Sequence, residues 1–246
     1  MSFETSVGTS DADSITVMGR DLARDLMGKA TLSELAFLVV QRRMPTPEEG
    51  RLFDAVLVSL ADHGLTPTVL AARLTHTGAP ESLQGAIAAG LLGAGSVFLG
   101  VVEDTVLFLD AAGDDLDGAV ARELEAGRRI PGLGHPIHKV EDPRTPRIYA
   151  IAEETGLTGS YLARLRELAA VHARQTGREL PINGAGVAGA ALADLGFPGP
   201  LLRGFALLAR TAGLLGHLAE EMRSPIGLRL YREVDERAKY APPTGE

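Results

Sequence analysis

No cysteine and no tryptophan occur in these 246 residues, and aromatic residues make up only 4%. The missing cysteines exclude disulfides, thiolate metal sites and a cysteine nucleophile. The scarcity of aromatics leaves a core built from Leu, Ala, Val and Ile, drawn from the 45% of residues that are apolar. Positive charge is also short: 24 Lys and Arg face 32 Asp and Glu, a net charge of -8. Such a surface does not suit nucleic acid as a partner. No stretch offers about 20 uninterrupted apolar residues, as a membrane span requires. Residues 1–14 are polar and acidic, without the apolar stretch of a secretory signal. The expectation is a soluble cytoplasmic protein with one large domain, or a main domain and a smaller one.

What is present is a succession of helical patterns. Ile15 to Asp21 alternates briefly and reads as an extended turn. Thr31-Leu32-Ser33-Glu34 is a capping box, opening a helix through Leu35, Leu38 and Val39. In Thr46-Pro47-Glu48-Glu49 the threonine caps and Pro47 takes the first helical position. The acidic pair suits the helix N-terminus, and Leu52, Val56 and Leu60 form the stripe. Gly64 supplies a left-handed stop. Further helices are expected over 67–76, 80–92, 96–109, 117–126, 144–155, 160–176 and 201–223, with one of small residues after Gly184 and a last one over 228–239. The segments 80–92 and 96–109 are apolar nearly all round, which places them in the middle of the fold or at a subunit interface. Nothing alternates at period two long enough to give a strand pair.

The chemistry concentrates in one polar, turn-rich island, Pro131-Gly132-Leu133-Gly134-His135-Pro136-Ile137-His138-Lys139-Val140-Glu141-Asp142-Pro143-Arg144. Loops on a rigid scaffold carry function more often than packed elements do. Gly134 and Pro136 fix the backbone on either side of His135, so its ring is aimed, as a proton-transfer group requires. Lys139 and Arg144 make the island basic within an acidic protein. Arg144, behind Asp142-Pro143, sits at a helix start, where a guanidinium can grip a carboxylate with both arms or pair with Asp142 or Glu141. His135 and His138 are three apart, but Pro136 spoils the helix a metal pair would need, so no metal is expected.

Outside the island, His63 follows Asp62 at a helix end and reads most simply as a partner of the helix dipole. His217 lies within a long apolar helix and reads as a structural histidine. Arg210 is a charge on that same helix and calls for an anion. Gly93-Ala94-Gly95 and Gly184-Ala185-Gly186 do not fit a phosphate loop.

Taken together, Pro131-Gly132-Leu133-Gly134-His135 and Asp142-Pro143-Arg144 resemble the signature of the citrate synthase family. Ile15–Leu22 followed by Leu35–Pro47 resembles the family's entry helices. Asp62-His63 resembles its Asp-His-Glu turn, with Gly64 in place of the acid. Leu180-Pro181-Ile182-Asn183 and Phe205–His217 resemble its last catalytic turn and closing helix. The likeness runs collinearly over about 15–235, and its compactness is that of the citryl-CoA lyase branch.

That resemblance implies an all-α fold with a large helical domain, formed by 15–110 and 196–246, and a small closing domain at 111–195 that carries loop 131–144. Residues 1–14 would be disordered. It implies cleavage of citryl-CoA, or a related 3-hydroxyacyl-CoA, to acetyl-CoA and oxaloacetate. The alternative is a catalytically impaired homologue that binds coenzyme A or a dicarboxylate as a regulatory subunit. His135 and His63 would be catalytic. Arg144 and Arg210 would hold the ketoacid's carboxylates, joined by Arg229 or Arg223 from a partner subunit. Gly132, Leu133 and Gly134, with Lys139, would face coenzyme A. The assembly would be a homodimer or larger, with helices 80–109 near the interface.

Two departures from the family pattern stand out. Its Gly-Pro-Leu-His-Gly-Gly stretch is here Gly95-Ser96-Val97-Phe98-Leu99-Gly100, so Phe98 replaces the histidine that meets the thioester oxygen. Its aspartate base, two residues after the asparagine, is here Ala185. Glu103, further along the same helical stretch, is the candidate substitute.

Overall fold

The computed structural model describes residues 3–243. The chain is mainly helical, and the few strands lie at its N-terminus. It divides into two compact units. The first comprises the residues up to Ser59 together with Val101–Phe205, and the second Leu60–Gly100 together with the residues from Ala206 onward.

In the first unit, β1 (Gly8–Ser10), β2 (Ile15–Val17) and β3 (Arg20–Asp21) form an antiparallel sheet in the order β1-β2-β3. No strand pair was expected, and β1 falls inside the segment 1–14. Three-residue strands are too short for alternation to mark them; their turns do it instead. Asp11 holds the first turn, accepting from the Asp13 and Ser14 N–H groups at 2.9 and 2.8 Å. Met18 and Gly19, the two residues linking β2 to β3, both have positive φ, as tight hairpin turns require. A π-helical turn, Leu22–Leu26, follows.

Helix α1 (Leu32–Gln41) opens on the capping box of Thr31 and Glu34. Helix α2 (Pro47–Ala61) begins on a reciprocal pair: the Thr46 N–H donates to Glu49 and the Glu49 N–H to the Thr46 hydroxyl. The second unit takes up the chain with α3 (Pro67–Gly78), α4 (Leu83–Leu92) and a π-helical turn, Gly95–Leu99. The first unit resumes with α5 (Val101–Ala112), α6 (Leu116–Glu125), α7 (Arg144–Thr155), α8 (Ser160–Thr176) and α9 (Gly184–Asp194). A 3-10 turn, Gly199–Leu201, leads to α10 (Leu202–Arg223), and α11 (Gly227–Arg237) ends the described helices.

The first unit is built around α9, which packs against α5, α7 and α8. Gly184 and Gly186 through Leu192 are all buried. Small residues permit this: a Cβ on Gly189 would lie 2.1 Å from the Val102 carbonyl oxygen of α5. Gly189→Ala is therefore expected to lower stability by about 1–3 kcal/mol through overpacking. Urea denaturation measures this, and an unchanged midpoint would contradict so close a crossing. The far end of α9 is tied to α8, because Asp194 accepts from the N–H groups of Gly159, Tyr161 and Leu162. Four of the seven phenylalanines, Phe37, Phe53, Phe197 and Phe205, pack together edge to face or tilted at centroid distances of 4.3–5.8 Å.

The second unit has its own core, in which Val69 and Ala72 of α3, Ala86 of α4, and Leu214 and Leu218 of α10 are fully buried. Segment 80–92 is covered only in part: Ala86 and Gly90 are buried. Leu92 is 85% exposed, and Val97 beyond it 78% exposed. Periodicity reports that α4 is apolar all round but not which neighbours cover it.

Candidate active site

In the first unit, the short segment 181–183 clamps the start of the island 131–144. The Gly134 N–H donates to the Pro181 carbonyl at 2.7 Å, and the Asn183 N–H to the Gly132 carbonyl at 2.9 Å, bridging Leu133 to Ile182. The Asn183 side-chain amide adds a bond to the Gly134 carbonyl at 3.0 Å. Gly132 and Gly134 both have positive φ, and a Cβ on Gly132 would meet Thr105 at 2.9 Å. The loop is thus held on both sides up to the residue before His135. Gly132 O, Gly134 N and Gly134 O thus fix the loop backbone against residues 181–183.

His135 is oriented by its own backbone. The N–H groups of Ile137 and His138 donate to its Nδ1 at 3.1 and 3.0 Å, and the His138 ring stacks on it at 4.5 Å. A nitrogen that accepts two N–H bonds carries no proton, so the neutral ring holds its proton on Nε2. His135 therefore presents a hydrogen-bond donor at Nε2. Lys139 reaches back, its ammonium donating to the His135 carbonyl at 3.1 Å.

Arg144 stands at the first residue of α7. Its Nε and Nη2 donate to Asp142 at 2.9 and 2.7 Å, and its Nη1 to the Ser59 carbonyl at 3.3 Å. The guanidinium lies over Gly184, where any Cβ would overlap it. Asp142 is fully buried and also accepts from the Gly184 N–H at 2.8 Å, at the N-terminus of α9. Burial alone would push its carboxyl up. The Arg144 guanidinium, the Gly184 N–H and the Arg144 N–H outweigh that and hold it well below the usual carboxylate range. Asp142 thus looked like half of a surface ion pair but is the buried anchor. The sequence offers Asp142 only as one possible partner of Arg144, and Asn183 only as part of the turn 180–183.

In the second unit, the turn after α2 carries His63. Gly64 has φ of +76°, and its N–H donates to Asp62 Oδ2 at 2.9 Å. Helix α10 lies directly on this turn, since a Cβ at Gly213 would sit 2.1 Å from the Ala61 carbonyl oxygen. One turn on, His217 Nε2 is 2.8 Å from Asp62 Oδ1. Burial would raise the Asp62 carboxyl, but Gly64 and His217 hold it below its ordinary value. Arg210, buried, lies seven residues before His217 and so on the same face of α10. His217 reaches Arg73 at 3.0 Å through its Nδ1, and Arg73 pairs with Glu220 and, at 3.2 Å, with Glu221.

His135, Arg144, Gly132, Leu133, Gly134 and Lys139 thus lie in the first unit, and His63 and Arg210 in the second. Arg229 is on α11, 3.5 Å from Glu233. Phe98 is half-exposed in the π-helical turn after α4, and Ala185 lies in the first turn of α9. Glu103, on α5 in the first unit, pairs with Arg203 at 3.0 Å.

The family model of the citrate synthase C-terminal domain matches residues 26–233. A putative citrate synthase 2 of Mycobacterium tuberculosis is 31% identical over 187 residues, covering 73% of this chain and 49% of that protein. The chain spans about half the length, or less, of the curated relatives it matches. The structure of citryl-CoA lyase from Hydrogenobacter thermophilus superimposes with a TM-score of 0.87 and 31% identity, covering 99% of this chain and 97% of that one. ATP citrate lyase from Methanothrix soehngenii, determined with citrate and coenzyme A, has the same fold. Its TM-score is 0.82 at 23% identity, covering 99% of this chain and 42% of that one.

Proposed function

The chain belongs to the citrate synthase family, and from that premise we propose that it cleaves citryl-CoA, or a close 3-hydroxyacyl-CoA, to acetyl-CoA and oxaloacetate. The observation that carries this reading is the correspondence, over nearly all of both chains, with a citryl-CoA lyase.

In the cleavage direction, the tertiary hydroxyl loses its proton and its carbon becomes the ketone of oxaloacetate. The carbon–carbon bond breaks, and its electron pair passes to the acyl-CoA enolate. That enolate takes a proton at carbon from water, since neither Phe98 nor Ala185 carries one. His135 acts at the oxygen. In the condensation direction its Nε2–H donates to the ketone oxygen as charge develops there; in cleavage the same Nε2–H donates to the alkoxide left when the hydroxyl proton passes to water, and water returns a proton to the enolate carbon. The two N–H groups on Nδ1 keep the ring in the tautomer that points Nε2–H at that oxygen. Arg144, held by Asp142, and Arg210 grip the carboxylates, and His63 bonds near the carbonyl. A partner subunit's arginine, Arg229 or Arg223, completes the grip. Gly132, Leu133, Gly134 and Lys139 face coenzyme A. The same proposal includes a homodimer or larger assembly, with exposed Leu92 and Val97 at the contact.

The lost histidine and aspartate slow both directions alike, by about 10²–10³ for an oxyanion donor and about 10²–10⁴ for a general base. Phe98 and Ala185 therefore favour one alternative, a regulatory homologue that binds coenzyme A or the dicarboxylate without turnover. Incubating purified protein with citryl-CoA, and reading oxaloacetate through a coupled NADH-dependent dehydrogenase, separates the two. Oxaloacetate above the uncatalysed rate is expected. Binding of coenzyme A or oxaloacetate by calorimetry without release of product would establish the alternative instead.

A further inference from the structure

We infer that His217 is a positioning residue for His63, acting through Asp62 at the end of a hydrogen-bonded relay that starts at the buried pair Arg73–Glu221; this rests on the reading above, in which His63 meets the ketoacid. The relay lies wholly within the second unit. Glu221 is buried and pinned by the N–H groups of Ile226 and Gly227 at 3.0 and 2.8 Å. It receives Arg73 Nη1, and Arg73 is 1% exposed. Arg73 Nη2 faces His217 Nδ1 at 3.0 Å, and His217 Nε2 faces Asp62 Oδ1 at 2.8 Å. The other oxygen of Asp62 closes the turn by accepting from the Gly64 N–H.

The direction of each bond follows from chemistry. A guanidinium only donates, so His217 Nδ1 accepts. The proton then sits on Nε2 and points at Asp62, which only accepts. One tautomer of a neutral His217 satisfies both neighbours. Charge balance does not require this histidine, because Glu220 and Glu221 already meet the buried Arg73. What His217 adds is a fixed direction. It locks one carboxylate oxygen of Asp62, while Gly213 on the same helix lets the turn approach within contact. The Asp62-His63-Gly64 turn is thereby held at two points, and the backbone of His63 with it.

The test combines spectroscopy with ligand affinity. In folded wild-type protein labelled with ¹⁵N-histidine, the neutral form of His217 is expected as the Nε2–H tautomer. His217→Phe and Asp62→Asn are each expected to shift the His63 ring resonances. Each should also weaken oxaloacetate about ten- to hundred-fold, in Kd or KM, with kcat moving much less. His217→Gln, which keeps a donor and an acceptor, is expected to recover part of that loss. Asp62→Asn changes a half-exposed side chain and covers the case in which His217→Phe does not fold. Finding His217 as the Nδ1–H tautomer would overturn the relay. So would folded variants with unmoved His63 resonances and unchanged affinity. If wild-type protein neither cleaves citryl-CoA nor binds oxaloacetate, the functional reading fails on its own, and the tautomer and His63 resonances still decide the relay.

Discussion

His135→Asn is expected to slow citryl-CoA cleavage by about 10²–10³, with little change in stability. The separation follows from the two nitrogens of the ring. Nδ1 has a structural duty, accepting the N–H groups of Ile137 and His138. Asparagine places an amide oxygen close to that position and can accept both. It has nothing at the position of Nε2, so the donor to the ketone oxygen is lost. His135→Ala removes both functions, and is expected to show the same kinetic loss together with a loosened loop. Steady-state rates report the first effect. Proteolysis of the 135–140 segment and thermal melts report the second. Equal losses of stability in the two variants would refute the division of labour, and unchanged turnover in His135→Asn would remove His135 from the chemistry altogether.

Much of the helical framework is legible because its punctuation is local. The capping pairs Thr31 with Glu34 and Thr46 with Glu49, and the glycines that bracket α8, act within a few residues of sequence. The N-terminal strands are not legible, because a three-residue strand has no measurable alternation and Met18 gives no warning of its positive φ. Burial is legible only in part. Both α4 and α9 are apolar and rich in small residues, yet α9 is the enclosed one; tertiary neighbours decide that, not periodicity. The loop 131–144 stands out by its glycines, histidines and prolines, whereas its supports do not. Asp142 looks like an ordinary partner for Arg144, and only the fold brings the Gly184 N–H to its other side. Asn183 looks like a helix cap, and it is one, but its amide also reaches Gly134. His217 reads as a structural histidine because its two partners, Arg73 and Asp62, lie 144 and 155 residues away.

The support under Arg144 leads to the other large effect. Asp142→Ala is expected to destabilise the protein by about 3 kcal/mol, the lower end for breaking a buried ion pair, because Arg144 retains some contact with water. Three groups lose this partner at once: the guanidinium, the Arg144 N–H and the Gly184 N–H that opens α9. For a chain of this size the melting temperature falls by about 6–12 °C. The Arg144 arm, no longer held by two bonds, also loses its aim, so ketoacid affinity is expected to fall about 100-fold. Asp142→Asn tests the charge alone. Its amide turns a donor toward either Arg144 or Gly184, both donors already, so it should recover little. The pH dependence has a definite sign. The folded carboxyl is held below its unfolded value of about 3.9, so its stabilisation is complete above that pH and is lost as pH falls through the folded value. The stability gap between wild type and Asp142→Asn, measured by urea denaturation from pH 7 downward, should be constant above about pH 5 and shrink below about pH 4. A gap that widens on acidification would mean that Asp142 is not held as its neighbours imply. Normal affinity in a folded Asp142→Ala protein would mean that Arg144 does not grip the ketoacid.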